Sequence, residues 1–468
     1  MFRFVFIRNH AYYFIDGLKR RPQGSFPFRA SLVSRFESRK LLILMVVVIT
    51  AITIDSQIGY IADFIPEKVS SDAGVATFIL MAVIFAVTQY FILGYVKQTN
   101  KENRPRAKAL HLGVTHSIVT IAQFILVGIL GFVILQIIMA QQYNILTLYA
   151  SHVISYGLWI ATLGLLAKAF FSWYRLSKKN VMVLILALSM IAFVFNGAAN
   201  VAYYFSVLFE QKSVVTSSDV AYFPEFDVQI LVSQVNLVSQ ASNIVSYVLI
   251  WVGTVKLLYP YIRKFGKVKF WAIMVAPMVY YLINFPLFVL GFFTPSENSD
   301  AMTNIIIFNF ATIFTGIIFG VAFLSVAKTL KKGSDLRNHM IIAAWGFTLF
   351  YIAGSATASQ AAYPPYGLAS ISFVGLSCYL IYSGLYSSAV TISQDIVLRN
   401  SIRKSVNEQS KLLHGMGTAQ MQQELESKVL TINKKVSDMM EEETGVEPSM
   451  TEEDIKEHIE MVRKEINK

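Results

Sequence analysis

From residue 41 to about 390 the chain alternates long apolar stretches with short polar turns. The apolar stretches are 41–60, 75–96, 117–139, 146–170, 181–208, 233–258, 270–293, 304–327, 339–357 and 367–388. Each is close to the ~20 residues with which an α-helix crosses the hydrocarbon core, where every backbone N–H and C=O must find its partner inside the segment. The pattern predicts an all-α fold, a polytopic transmembrane helix bundle of about ten spans. Beyond residue 390 polarity rises while the helical period persists. Ile392 and Ile396, then Leu398, Ile402 and Val406, recur at four-residue intervals, so the last span is expected to run on into a cytoplasmic helix. Gly415 and Gly417 predict a hinge in that tail. After it, Leu425, Val429, Ile432, Val436 and Met439 follow the 4-3-4-3 spacing of a coiled-coil seam. Ser449 and Glu452 form a capping box ahead of Ile455, Ile459, Val462 and Ile466, a last short amphipathic helix. The division is therefore a basic, aromatic segment 1–40, a bundle 41–390, a helical linker 391–444 and a terminal helix 449–468.

Charge orients the bundle. Lys and Arg resist translocation. Segments 1–40, 97–108, 172–180, 259–269 and 328–338 hold 25 of them, against 2 in the alternate segments 61–73, 140–145, 209–229, 294–303 and 358–366. Both termini are expected to be cytoplasmic and the protein to sit in the cell membrane. The net charge of +11 divides into +15 over residues 1–390 and −4 over residues 391–468. The basic excess thus reads as topology and contact with anionic membrane lipid. No basic run interleaves with aromatics on a soluble module, so nucleic acid is not an expected partner. In segment 1–40, Phe2, Phe4, Phe6, Tyr12, Tyr13 and Phe14 beside Lys19, Arg20 and Arg21 suit the membrane interface, or serve only as a basic topology signal. The single cysteine, Cys378, excludes an intrachain disulfide or a thiolate metal cluster.

Candidate chemistry is sparse. Ionisable groups inside a bilayer are costly and face protein or water. Asp55 lies ~10 Å below the outer end of the first span, and His152 lies at a similar depth in the fourth. The same outer half receives Asn196 and Asn200, Gln234, Asn236, Gln240 and Asn243, Asn284 and Asn309, with Tyr203, Tyr204 and Tyr222 near the mouth. These residues suit a pocket open to the outside for a small polar ligand, with Asp55, His152, Asn196, Asn200, Gln234, Gln240 and Asn243 as its contacts. They equally suit interhelical hydrogen bonds that hold the bundle together. Lys168 and Lys256 lie near helix ends and can snorkel. His111 and His116 are five apart, a poor spacing for joint metal ligation. No phosphate-cradling glycine loop, His-Glu-x-x-His or Gly-x-Ser-x-Gly is present, so neither catalysis, a cofactor nor a metal is expected. Pro277 and Pro286 offer a kink to the seventh span.

The string Asp395-Ile-Val-Leu-Arg-Asn-Ser-Ile-Arg-Lys404, with Leu413-His-Gly-Met-Gly-Thr-Ala-Gln-Met-Gln-Gln-Glu424, resembles the juxtamembrane region of multi-pass membrane proteins of ammonia-oxidising archaea. More loosely, many spans followed by a charged helix is similar to the sensor region of membrane histidine kinases, although the phosphoacceptor box and ATP-binding domain are absent. The resulting expectation is a non-catalytic sensor or receptor-like protein whose outer pocket is coupled to a cytoplasmic helical tail. That tail would meet a second copy or a helical partner protein. A secondary transporter with a regulatory tail is the alternative, and a scaffold subunit of a membrane complex the third reading.

Overall fold

The computed structural model describes residues 38–61, 69–102, 110–176, 180–209, 214–216, 229–289, 298–331, 334–354, 363–403, 408–444 and 461. The N-terminal interfacial segment, Tyr222 and the terminal helix 449–468 lie outside the described residues, Met461 apart, as do the side chains of Asn236, Asn284, Pro286 and Asn309.

Ten helices succeed one another along the apolar stretches. They are α1 (Ser38–Ile61), α2 (Asp72–Glu102), α3 (Leu110–Ala140), α4 (Leu146–Leu176), α5 (Val181–Phe209), α6 (Gln229–Leu258), α7 (Lys267–Val289), α8 (Asn298–Lys328), α9 (Asp335–Gly354) and α10 (Leu368–Gln394). Among the described residues seven of them, α2 to α6, α8 and α10, are long and apolar enough to cross a membrane. The chain is a multi-pass membrane protein by this measure. Its outer surface agrees, since α3 exposes Val114, Ile118, Ile121, Phe132, Leu135 and Ile138 along its length. An apolar face of that size is unsuited to water and suited to lipid.

Hydrogen bonds give the helices a common direction sense. Asn100 near the end of α2 bonds Ser383 and Ser387 late in α10, and His116 early in α3 lies 2.8 Å from the Tyr379 hydroxyl. At the opposite end Tyr366, just ahead of α10, donates to the Gly74 carbonyl at the start of α2. The ends of α2 and α10 and the start of α3 therefore share one end of the bundle, called the basic end below because Lys97 and Lys101 close α2 there. At the other end a two-stranded antiparallel clasp, β1 (Gln142–Asn144) with β2 (Val214–Thr216), ties the α3–α4 turn to the loop after α5. It pairs buried Tyr143 with buried Val215. The period-3.6 reading could not register strands of three residues.

Helix α10 is the axis. Its apolar stretch is wholly buried, and it packs against α4 and α9, and more lightly against α2 and α3. Small residues permit this. A Cβ on Gly384 would sit 2.5 Å from the Ala343 backbone nitrogen and one on Gly346 would sit 2.7 Å from that of Ile381. Helix backbones in membranes approach this closely only over glycine or similarly small side chains. Three of the α10 hydroxyls, those of Ser372, Ser377 and Ser388, are satisfied internally and donate to carbonyls of their own helix.

The tail departs from expectation in two places. Helix α10 does not run on; it stops at Gln394, Asp395 is extended, and Asp395 then caps a separate eight-residue helix, α11 (Ile396–Arg403), through the Leu398 N–H. No hinge occurs at Gly415 and Gly417 either, because one helix, α12 (Glu408–Thr444), continues through both.

Candidate functional site: a polar cluster and a docked tail at opposite ends of the bundle

The outer-half residues separate into three groups with different neighbours. Asp55 is fully buried and accepts from the N–H of Gly367 (3.2 Å), the N–H of Ser370 (3.1 Å) and the Ser370 hydroxyl (2.5 Å). These donors are the first turn of α10. Its N-cap, Gly367, has no side chain to supply the usual cap and takes a left-handed φ of 87°. Asp55 of α1 provides from a distance what an N-cap aspartate would provide locally, at the positive end of the α10 dipole.

Asn196 and Asn200 of α5 meet α6 in a connected network. Asn200 donates to the Asn196 side-chain oxygen at 3.1 Å, and Ser242 donates to the same oxygen at 3.0 Å. Ser239 donates to the Asn200 oxygen at 2.7 Å, and the Asn196 amide reaches the Asn243 oxygen at 3.5 Å. Gln234 and Gln240 are exposed and take no part in the network among the described residues. Ser239 and Ser242 are the members that the amide count missed. Their signal was phase: 239, 242 and 246 fall on one helical face, whereas 240 is turned ~100° away from 239.

His152 of α4 is buried. Its Nδ1 donates to the Leu148 carbonyl at 2.8 Å, leaving Nε2 without a hydrogen-bond partner among the described residues. The ring lies against Tyr204, with centroids 4.7 Å apart, and parallel to Tyr156 at 6.1 Å. Tyr156 in turn stacks on Trp159, whose buried indole N–H is also unpartnered among the described residues. The result is an aromatic box between α4 and α5 that holds one unsatisfied imidazole nitrogen and one unsatisfied indole donor. Buried polar atoms are satisfied in the great majority of cases, so two orphans in one box are notable.

At the basic end, α12 lies across the helix ends. Gln409, Leu412, Leu413, Met416, Ala419 and Gln420 are buried. Gln409 donates to the Leu257 carbonyl of α6 (3.1 Å) and the Ser325 hydroxyl of α8 (2.9 Å). Asn180 caps α5 with its oxygen and donates to the Lys411 carbonyl with its nitrogen (2.9 Å). The Trp173 indole of α4 donates to Gln420 (2.9 Å), and Ser393 of α10 donates to Glu424 (3.2 Å). Gly415 and Gly417 make this contact possible: a Cβ there would meet Asn180 Nδ2 at 2.0 Å and Ile392 Cγ2 at 2.2 Å. His414, beside Arg403 and Arg399, is held below the ordinary histidine range, first by burial and then by those two cations. Past Glu424 the helix leaves the bundle, and Leu425, Val429, Ile432, Val436 and Met439 are all exposed.

No group of three or more His, Cys, Asp or Glu side chains able to hold a metal occurs among the described residues. No protein-family model, curated protein or solved structure matches the chain. The fold therefore defines the class only as far as a multi-pass membrane protein with a helical tail docked against one end of its bundle.

Proposed function

We propose that the protein is a non-catalytic membrane sensor, in which the outer aromatic and amide cluster receives a small polar ligand and α12 is the output. The reading takes α1 to α10 as ten crossings with both termini in the cytoplasm. Its support is the charge division between alternate turns and the alternation of helix ends described above. The observation that carries the proposal is that a single helix, α4, holds His152 at one end and Trp173 at the other. The two are ~30 Å apart at 1.5 Å per residue. A rigid helix with a sensing group at one end and a tail contact at the other is a physical element that both sites can bias. Helix α10 runs alongside, tied to α4 where the Ser155 hydroxyl donates to the Ile371 carbonyl and accepts from the Gly375 N–H at 3.2 Å.

The test perturbs one end and reads the other. In detergent or nanodiscs, His152→Phe is expected to change hydrogen exchange of the amides in 409–424 several-fold. A matched change at the exposed Phe195, Phe195→Leu, leaves them unaltered. Equal protection in both variants would remove the coupling. Labelling that reaches introduced cysteines along the α5–α6 network from both ends of the bundle would move the reading to transport.

A further inference from the structure

The structure points to a second copy of this chain as the partner of the free half of α12, and we propose that residues 425–439 form a parallel two-stranded coiled coil between two bundles in one membrane. This rests on α12 alone and does not require the sensor reading. Five apolar side chains at seam spacing stand 42% to 63% exposed on a helix whose preceding half is buried. The 4-3-4-3 spacing sets Val429 and Val436 at a positions and Leu425, Ile432 and Met439 at d positions. Valine at both a positions and leucine at the first of the three d positions are side-chain choices of two-stranded coils, which Ile432 at the central d is not.

Every copy sits in the bilayer with the same orientation, so the two α12 helices leave the same face of the membrane, where the proposed pairing is side by side in parallel. In that arrangement a g residue meets the e residue five positions on in the other chain. Lys428 then faces Asn433 and Lys435 faces Met440, so no like charges oppose one another. Two heptads would be marginal as free peptides. Confinement to one membrane raises the effective concentration of the second helix, which makes a short seam sufficient. The docked half supplies the rest, because burial of Leu412, Leu413 and Met416 fixes the angle at which each seam emerges.

The full-length chain in nanodiscs loaded for two copies provides the test, in a Cys378→Ser background so that the buried native thiol does not interfere. Ile432→Cys, at d, is expected to give a dimer-sized product with a short bis-maleimide, and Lys434→Cys, at f on the opposite face, at least tenfold less. Adding Val429→Asp and Val436→Asp to Ile432→Cys removes the product, while hydrogen exchange of 409–420 stays as in the parent because the docked half is untouched. Equal cross-linking at 432 and 434, no product at 432, or a cross-link confined to one chain would each overturn the proposal. The last outcome would mean that the seam folds back onto its own bundle.

Discussion

Replacing Gly417 by alanine gives opposite signs for a free and a docked α12. In a free helix the change gains about 1 kcal/mol of helix propensity. In the docked helix the new methyl would lie 2.2 Å from Ile392 Cγ2 and 2.6 Å from its Cβ. Ordinary carbon contact is ~3.5–4.0 Å, so more than ~1 Å must be opened. Ile392 cannot supply that movement, since it is fully buried, β-branched and stiff at χ1, and its Cβ is not a mobile tip. Helix α12 must therefore lift. Overpacking by one methyl costs about 1–3 kcal/mol. Lifting also weakens the Trp173–Gln420 bond and the burial of Leu413 and Met416. Set against the propensity gain, the expected net loss is about 1–2 kcal/mol of docking, a 5- to 30-fold shift. Hydrogen exchange read by mass spectrometry over 408–424 in the full chain measures it directly. Ile392→Ala combined with Gly417→Ala is expected to restore part of the protection, as contacting residues are non-additive. Protection equal to or above the parent in Gly417→Ala alone would refute the docked geometry.

Two further outcomes are expected. Asp55→Ala leaves the Gly367 and Ser370 donors of α10 unpaired in a buried setting and is expected to cost about 2–4 kcal/mol. Thermal unfolding in micelles checks this, with Asp55→Asn, which keeps an acceptor, falling between the two. Docking of α12 is expected to depend on pH through His414. Its value in the docked state lies below the free value of ~6.5, so docking is fully present above that pH and weakens as pH falls through it toward the docked value. Amide protection of 409–420 compared at pH 7.5 and pH 5.5 measures the loss, and His414→Gln should remove the dependence.

Much of the fold was legible because spanning helices carry their signal locally. Each apolar stretch has to satisfy its own backbone, and its length says so without reference to any other part of the chain. What escaped depends on partners far away in sequence. Asp55 reads as an exposed acid in a pocket until the donors of Gly367 and Ser370 are placed against it, and nothing near residue 55 announces them. Gly415 and Gly417 read as a hinge because helix propensity is scored within the helix. Their use as close-approach positions follows only from the buried stripe Leu412, Leu413, Met416 and Ala419 around them. That stripe was present in the sequence and could have signalled a packed face. For the amide cluster, the residue types were legible and the facing was partly so: Asn196, Asn200 and Asn243 meet across α5 and α6, while Gln240, one residue from Ser239, falls on another face.

The burial of α10 bears on how the protein is made. A span wholly surrounded by other spans has no lipid-facing surface of its own, and α10 carries Ser370, Ser372, Ser377, Ser383, Ser387 and Ser388 with Gly375 and Gly384. It is a poor guest in hydrocarbon. It also leaves the ribosome after the helices that enclose it within the membrane, α2, α3, α4 and α9. The earlier helices must therefore wait beside the insertion machinery with a groove lined by Ser155, Leu158, His339 and Ala343 still open. Synthesis of the final span closes that groove and, from Gln409 onward, delivers the tail that covers its basic end. The centre of this bundle is therefore the last of its layers to be put in place.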